Sequence, residues 1–345
     1  MKVGLVGFAG SGKSTTFQWL TGVEPDPSKI QQGQMGMAHV PDPRLAKIIE
    51  HFKPKKHRYA EIAFLDTPGL SLSERKDNPR RLGILREGNG LVIVLDGFSG
   101  APLAEQLTKF REELLFADLD LLTNRSEKLA AQLKRNKPQK EKELDQAEAD
   151  LVKRIMETLE AGKSPRELHI RPEEEKTIRQ FQLLTLKPEM VFVSQGDDPK
   201  APLPDDLLKL APHAMAAPVK LERELAELDE ESRAVFMADL GISGSKRDEV
   251  IRNLFYGMGR IVFFTVGHDE CRSWAIDKGA TAIEGAGVIH TDLSKNFIRA
   301  EVIGYEDFVK ANYEEKNAKA AGTFRLESKD YVVQDADIMH IRANA

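Results

Sequence analysis

The feature that most constrains this chain is the run Gly7-Phe8-Ala9-Gly10-Ser11-Gly12-Lys13-Ser14. Val3, Leu5 and Phe8 alternate with glycines ahead of it, as in a buried strand feeding a loop, and a helix is predicted from Lys13 to about Leu20. The run fits G-x-x-x-x-G-K-[ST], whose glycines let main-chain N–H groups converge on phosphate oxygens at a helix N-terminus. An ordinary glycine-rich turn is the bland alternative, but the full pattern between a strand and a helix argues against it. Gly7, Gly10, Ser11, Gly12, Lys13, Ser14 and Thr15 are therefore candidate phosphate-binding residues. In that role Lys13 neutralises the β and γ phosphates and Ser14 offers its hydroxyl to Mg²⁺.

Asp66-Thr67-Pro68-Gly69 follows the apolar stretch Ile62–Leu65 and fits D-x-x-G. Alone this tetrapeptide marks a turn. Beside a phosphate loop, Asp66 becomes a candidate for the Mg²⁺ shell and Gly69 one for meeting the γ-phosphate. The next residue is Leu70, where switch GTPases commonly carry a glutamine that orients the attacking water. An apolar side chain cannot do that.

The continuous apolar runs Leu91–Leu95 and Met190–Val193 read as strands covered on both faces, as in a parallel α/β sheet. Between them Leu103, Leu107, Phe110, Leu114, Ala117 and Leu121 recur at helical spacing, extended by Leu129 and Leu133. After a lysine-rich stretch with Pro138 the pattern resumes at Leu144, Leu151, Ile155 and Leu159, then stops at Gly162 and Pro165. An antiparallel helical hairpin inserted into the sheet domain is expected. Helical material is predicted over 221–255, followed by strands at Ile261–Val266, Ile298–Val302 and Tyr331–Val333 in a small α+β module.

The formal net charge of −5 excludes a surface that is basic throughout, leaving only local clusters for nucleic acid. A single cysteine, Cys271, excludes an intrachain disulfide and a cysteine-based zinc site. No apolar run approaches the roughly 18 residues needed to span a bilayer, and the start is too short and glycine-broken for a signal peptide. A cytoplasmic chain with no membrane partner, and a monomer, are expected.

The phosphate loop, Asp66-Thr67-Pro68-Gly69-Leu70, the inserted hairpin and the last third together resemble the YchF family of Obg-related ATPases and GTPases. The most specific stretches are Pro41-Asp42-Pro43-Arg44-Leu45, Leu183-Leu184-Thr185-Leu186-Lys187-Pro188, Glu224-Leu225-Ala226-Glu227-Leu228, Gly287-Val288-Ile289-His290-Thr291-Asp292 and the run from Phe297 to Ile303. The resemblance covers nearly the whole chain. It implies an α/β P-loop domain over 1–100 and 180–258, a coiled-coil hairpin over 101–179 and a C-terminal TGS domain of β-grasp type over 259–345. It also implies a hydrophobic residue in place of the catalytic glutamine, which Leu70 matches.

Several positions depart from the family pattern. Gly10 stands where members usually carry Asn, and the switch region Lys29-Ile30-Gln31-Gln32-Gly33 has no hydroxyl for Mg²⁺. Ser71 to Lys76 replaces a glycine-rich segment, and the N-x-x-E base-reading motif becomes Ser194-Gln195-Gly196-Asp197. Asp197 could accept from guanine N1–H and its amine, whereas Gln195 could pair with adenine. Ser194, Gln195 and Asp197 are the candidate base readers, and GTP and ATP both stay open.

The expected function is Mg²⁺-dependent binding and slow hydrolysis of a purine nucleoside triphosphate, with Lys13 and Gly69 as catalytic candidates and Ser14 and Asp66 as metal ligands. The alternative is a nucleotide-binding interaction protein with negligible hydrolysis. The resemblance suggests ribosome or RNA association through Lys134, Arg135, Lys137, Lys140 and Lys142 at the hairpin tip and through the TGS domain, where Lys278, Lys295 and Arg299 are basic.

Overall fold

The structure, a computed structural model, describes residues 1–29, 32–71, 73, 75–196, 198–240 and 244–344. Two compact units make up the chain: Lys2–Gly36 with Phe64–Gly244, and Met1 and Met37–Ala63 with Ser245–Ala345. The strands are β1 (Lys2–Val6), β2 (Gln34–His39), β3 (Lys56–Arg58), β4 (Glu61–Asp66), β5 (Gly90–Gly97), β6 (Glu189–Gln195), β7 (Met215–Ala217), β8 (Arg260–Thr265), β9 (Glu270–Asp277), β10 (Phe297–Gly304), β11 (Arg325–Glu327) and β12 (Asp337–Ala343).

One six-stranded sheet has the order β2-β4-β1-β5-β6-β7, and its pairs β1–β5, β5–β6 and β6–β7 are parallel. Leu91 to Leu95 of β5 are all buried, as an inner strand covered on both faces requires. The β5–β6 register sets Asp96 opposite Ser194 and Gly97 opposite Gln195. The carboxyl ends of β1, β5 and β6 therefore open onto one edge, where open α/β sheets bind their ligands. The phosphate loop leads from β1 into helix α1 (Lys13–Thr21).

Past its carboxyl end, the inner strand β5 leads into α4 (Leu103–Leu133), and α5 (Gln139–Glu160) runs back along it. Leu122 and Leu129 of α4 share a buried cluster with Leu151, Val152, Ile155 and Leu159 of α5, and the Arg125 fork bonds Glu148 through Nε at 2.6 Å and a second nitrogen at 2.8 Å. The predicted limits of α4 coincide with the observed ones, because its apolar spacing is unbroken. At the hairpin base Asp118, wholly buried, accepts from Arg86 at 2.7 Å, from the Leu184 and Thr185 amides at 3.1 and 2.8 Å, and from the Thr185 hydroxyl at 2.8 Å.

The second unit carries a sheet of order β11-β10-β12-β8-β9-β3. Phe263, Ile276, Ala300, Val302 and Met339 pack under the helix Ala282–Ile289, whose start is closed by the reciprocal Thr281–Glu284 capping box. Tyr331–Val333, predicted as a strand, forms only an isolated bridge from Val332 to Thr281; the strand is β12 instead. The helical stretch predicted over 221–255 is three helices, Val219–Glu227, Glu230–Leu240 and Arg247–Gly257.

Residues 37–63 and 245–258, expected in the first domain, belong to this second unit. The helix α2 (Pro43–Phe52) is capped by Asp42, which accepts from the Arg44 amide at 2.9 Å. Arg44 then bonds Asp42 at 2.7 Å, Asp335 at 2.6 Å and the Tyr256 hydroxyl at 2.7 Å. Strand β3 pairs with β9 in parallel, and Ser273 accepts from the Ala60 amide at 2.6 Å. Apart from the local Asp42–Arg44 cap, these contacts are long-range in sequence and leave no periodic trace in it.

Asp118→Ala should destabilise the protein by about 3–5 kcal/mol, because it removes the carboxylate partner of Arg86 and leaves the buried Leu184 amide and the half-buried Thr185 amide without their acceptor. Urea unfolding checks this; a loss below about 1 kcal/mol would show that the node is not structural.

Candidate nucleotide-binding site

A cavity of about 670 Å³ opens at the sheet edge. Gly10, Gly12, Lys13, Ser14 and Thr15 line one side of it, and Phe98, Ser194, Gln195 and Gly196 line the other. Lys220 and Arg223, from the helix Val219–Glu227, complete it. The two loops touch: at Gly12, whose φ is 86°, a Cβ would lie 2.8 Å from the Ser194 hydroxyl. Only glycine suits that position sterically and conformationally.

Lys13 is buried and its ammonium donates to the Phe8 carbonyl at 2.8 Å, closing the phosphate loop on itself. Burial lowers its pKa to about 8, against the opposing pull of the Asp66 charge. Asp66 is also buried; that burial raises its pKa, while bonds from the Ser14 hydroxyl and the nearby Lys13 charge work the other way. Asp66 Oδ1 has no hydrogen-bond partner, and neither does the buried Ser11 hydroxyl. Buried unpaired acceptors are costly unless a ligand satisfies them.

Gly69 sits against the loop so closely that a Cβ there would lie 2.7 Å from Ala9 Cα and 3.0 Å from Lys13 Nζ. The Leu70 amide donates to the Gly7 carbonyl at 3.0 Å, and the Ala9 amide donates to the Leu70 carbonyl at 2.9 Å. The Leu70 side chain is buried in the core with Val6, Ile93 and Leu95. Arg81 donates to the Gly69 carbonyl at 3.0 Å.

At the far side of the cavity, Gln195 Nε2 donates to the Ala201 carbonyl at 2.7 Å, and its Oε1 is buried and unpartnered. Gln195 therefore presents an acceptor. Phe98, half of whose surface is exposed, lies 3.5 Å from a Cβ placed on Gly12 and 3.7 Å from one placed on Gly196.

The oxygens of Ser14 and Asp66 fit a hard divalent cation: two protein donors, with phosphate and water completing the shell, is how Mg²⁺ is commonly held. Among the described residues no cluster of three or more His, Cys, Asp or Glu could hold a metal.

Residues 2–144 match the model of the 50S ribosome-binding GTPase, and residues 261–344 match the YchF-type GTPase C-terminal model, described as a protein of unknown function. The ribosome-binding ATPase YchF of Haemophilus influenzae is 34% identical over 99% of both chains, and that of Bacillus subtilis is 30% identical over 100% of this chain and 99% of its own. The chain belongs to the YchF family. The structure of the Schizosaccharomyces pombe YchF GTPase superposes with a TM-score of 0.77, covering 99% of this chain and 97% of that one at 24% identity, so the two share a fold.

Of the residues singled out from sequence in this YchF chain, Gly10, Gly12, Lys13, Ser14, Thr15, Ser194 and Gln195 share the cavity wall. Gly7, Ser11, Asp66 and Gly69 lie behind that wall, in contact with the loop or its lysine. Asp197 lies outside the described residues, as do Ile30 and Gln31 of the switch region and Leu72 and Glu74 of the segment after Leu70. Sequence reasoning missed Phe98, Arg81, Lys220 and Arg223. Phe98 was detectable in principle, since it follows the carboxyl end of a parallel strand; Lys220 and Arg223 stand on the helix that runs into the family stretch Glu224–Leu228, which does not itself point to the cavity, and Arg81 stands on a short helix with no motif of its own.

Bound phosphate favours the Lys13 ammonium, so the lysine pKa is higher in the complex than its value of about 8 in the free protein. Nucleotide affinity should therefore be level below about pH 7 and fall above about pH 8, approaching tenfold per pH unit. Calorimetric titration across that range checks the sign. An affinity flat to about pH 9.5 would mean that the charge of Lys13 is not engaged by the nucleotide.

Proposed function

We propose that this YchF chain binds Mg²⁺-ATP in the 670 Å³ cavity, hydrolyses it slowly and couples its nucleotide state to association with the ribosome. The observation that carries the reading is the convergence of Gly10, Gly12–Thr15 and Ser194–Gly196 on that one cavity, which is large enough for a nucleotide. The relatives' names supply the ATPase and ribosome-binding activities.

The loop amides and the Lys13 ammonium hold the phosphate chain, and Lys13 exchanges the Phe8 carbonyl for phosphate oxygens. Ser14 and Asp66 would hold Mg²⁺, which supplies charge neutralisation on the β and γ phosphates when bound. Gly69, beside Lys13, offers its amide to the γ-phosphate. Phe98 stacks on the base, and the Gln195 carbonyl oxygen accepts from the adenine amino group. Guanine presents an oxygen acceptor at that position, so the fixed acceptor of Gln195 favours adenine; Asp197 remains the residue through which GTP would be read.

Leu70, the residue that follows Gly69, is turned into the core and orients no water. The same observation favours the second reading, a nucleotide-binding interaction protein with negligible hydrolysis. The helix pair serves as the coiled-coil arm and the C-terminal unit as a TGS domain of β-grasp type in a cytoplasmic monomer. At the arm's tip Lys134, Arg135 and Lys140 are exposed and face phosphates, together with Lys142; Lys137 is paired with Asp145 at 2.7 Å and contributes less.

Single-turnover hydrolysis should run on the order of 10⁻⁴ to 10⁻² per second. Calorimetry should show ATP bound more tightly than GTP, with Gln195→Ala weakening ATP by about 5- to 30-fold and leaving GTP nearly unchanged. A rate above roughly 1 per second would reveal a water-orienting group elsewhere, and undetectable turnover with intact binding would establish the second reading.

The protein should co-sediment with ribosomes at low salt and be released as salt rises. Changing Lys134, Arg135, Lys140 and Lys142 to Glu should weaken that association with nucleotide affinity unaltered. Failure of the wild type to co-sediment in any nucleotide state would remove the ribosome from the proposal.

A further inference from the structure

The helix Val219–Glu227 brings two cations, Lys220 and Arg223, to the nucleotide cavity, and neither takes part in the phosphate, metal or base contacts set out for ATP. Three residues apart, they share one face of that helix. Val219, Glu222 and Leu225, on the neighbouring face, are buried. Glu222 accepts from the Trp19 indole at 3.0 Å, and Trp19, on α1, stacks on Phe192 of β6 with ring centroids 5.8 Å apart. The helix that carries Arg223 is thereby tied, through a buried bond, to the helix that starts at Lys13.

Strand order decides which part of the nucleotide these cations meet. The phosphate loop follows β1, Phe98 follows β5, Ser194–Gly196 lies at the end of β6, and the helix Val219–Glu227 follows β7. Those strands stand in the order β1-β5-β6-β7. Ser194 pairs with Ala217 of β7, two residues before the helix begins. Lys220 and Arg223 therefore stand on the Gln195 side of the cavity, with β5 and β6 between them and the phosphate loop.

The two cations differ. Lys220 is exposed and lies 3.8 Å from Glu224. Arg223 is half-buried, and among the described residues nothing accepts from its guanidinium, although Glu227 stands four residues further along the helix. An arginine that served only the solvated surface would stand in water as Lys220 does. Partly dehydrated and carrying five donors, Arg223 is costly until an acceptor reaches it. The same end of the cavity holds a second incomplete group, the buried Gln195 Oε1. One acceptor and one donor match an edge of adenine, whose amino group donates and whose ring nitrogens on either side of it, N1 and N7, accept. A single amide side chain can read such a pair alone; here the two halves come from Gln195 and Arg223.

We propose that Arg223 is a base-reading residue, donating to N1 or N7 of adenine while Gln195 accepts from the amino group between them. The assignment rests on the ATP-binding reading and deepens it. Guanine fails at the Gln195 position in either case, because it presents an oxygen there, and at N1 it also presents a proton to the Arg223 donors.

The test measures, by calorimetry on the full-length protein with Mg²⁺, the affinities of ATP, 1-deaza-ATP and 7-deaza-ATP, which replace one ring nitrogen at a time by C–H. The wild type should bind one of the two analogues at least about tenfold more weakly than ATP, and the weaker one identifies the accepting nitrogen. Arg223→Met, which keeps the apolar stem and removes the donors, should weaken ATP by a similar factor and bind that analogue as it binds ATP. Arg223→Lys, which restores a charged donor, should give an intermediate ratio. The urea midpoint of each variant checks that it is folded. A wild type that binds both analogues as tightly as ATP overturns the proposal without recourse to any variant. So does Arg223→Met with the wild-type ratio of ATP to analogue, whether or not its ATP affinity falls, since another group then reads the nitrogen. A wild type that binds no nucleotide removes the ATP reading and this assignment with it; ATP binding with flat ratios removes the assignment alone.

Discussion

Two main-chain hydrogen bonds organise the nucleotide end of this molecule: Leu70 to Gly7, and Ala9 to Leu70. They hold the exit of β4 against the start of the phosphate loop. Gly69 comes so close to Ala9 and Lys13 that no larger residue fits. The Leu70 side chain anchors the pair by filling the core beside Ile93 and Leu95. The position at which a water-orienting glutamine would stand is thus spent on packing, and precise placement of Gly69 comes with an apolar, core-facing side chain at the position after it.

The rest of the site follows from parallel strand register. Because β5 pairs with β6 from Leu91↔Glu189 to Gly97↔Gln195, the strands end level and deliver Phe98 and Ser194–Gly196 to the same edge as the phosphate loop. Of the four buried side-chain atoms left unpaired among the described residues, three, Ser11 Oγ, Asp66 Oδ1 and Gln195 Oε1, belong to this region; the fourth is Arg260 Nε in the second unit. A folded chain tolerates such atoms where a ligand completes them. Away from the site, Asp118 collects four donors, and Arg44 joins Asp42, Asp335 and Tyr256.

The segment between Met37 and Ala63 gives the second unit its helix α2 and edge strand β3, although it lies in sequence between two strands of the nucleotide-binding sheet. A change in the loop after α1 is therefore only a few residues of chain away from elements that belong to the other unit. The same segment brings the basic run 53–58 to β9, whose Arg272 and Trp274 lie more than 200 residues further along the chain.

Whatever depends on local order was legible in the sequence. The phosphate loop, D-x-x-G, the continuous apolar strands β5 and β6 and the unbroken periodicity of α4 each carry their own signal, because the backbone geometry they impose is set by near neighbours. The strands that escaped are those whose inner faces are small or polar. In β9 the small or polar Cys271 and Ser273 are buried along with Ile276, while Arg272 and Trp274 between them are half-buried, and in β2 Met35 and Met37 are exposed while Gln34 and Ala38 are buried. In both, the hydrophobic alternation is inverted or erased. Only the tertiary structure could assign 37–63 to its unit, join Arg81 to Gly69, bring Lys220 and Arg223 to the cavity and set Arg58 beside Arg272. Those pairings are fixed by packing and strand register between distant segments, and a linear pattern holds no record of distance in space.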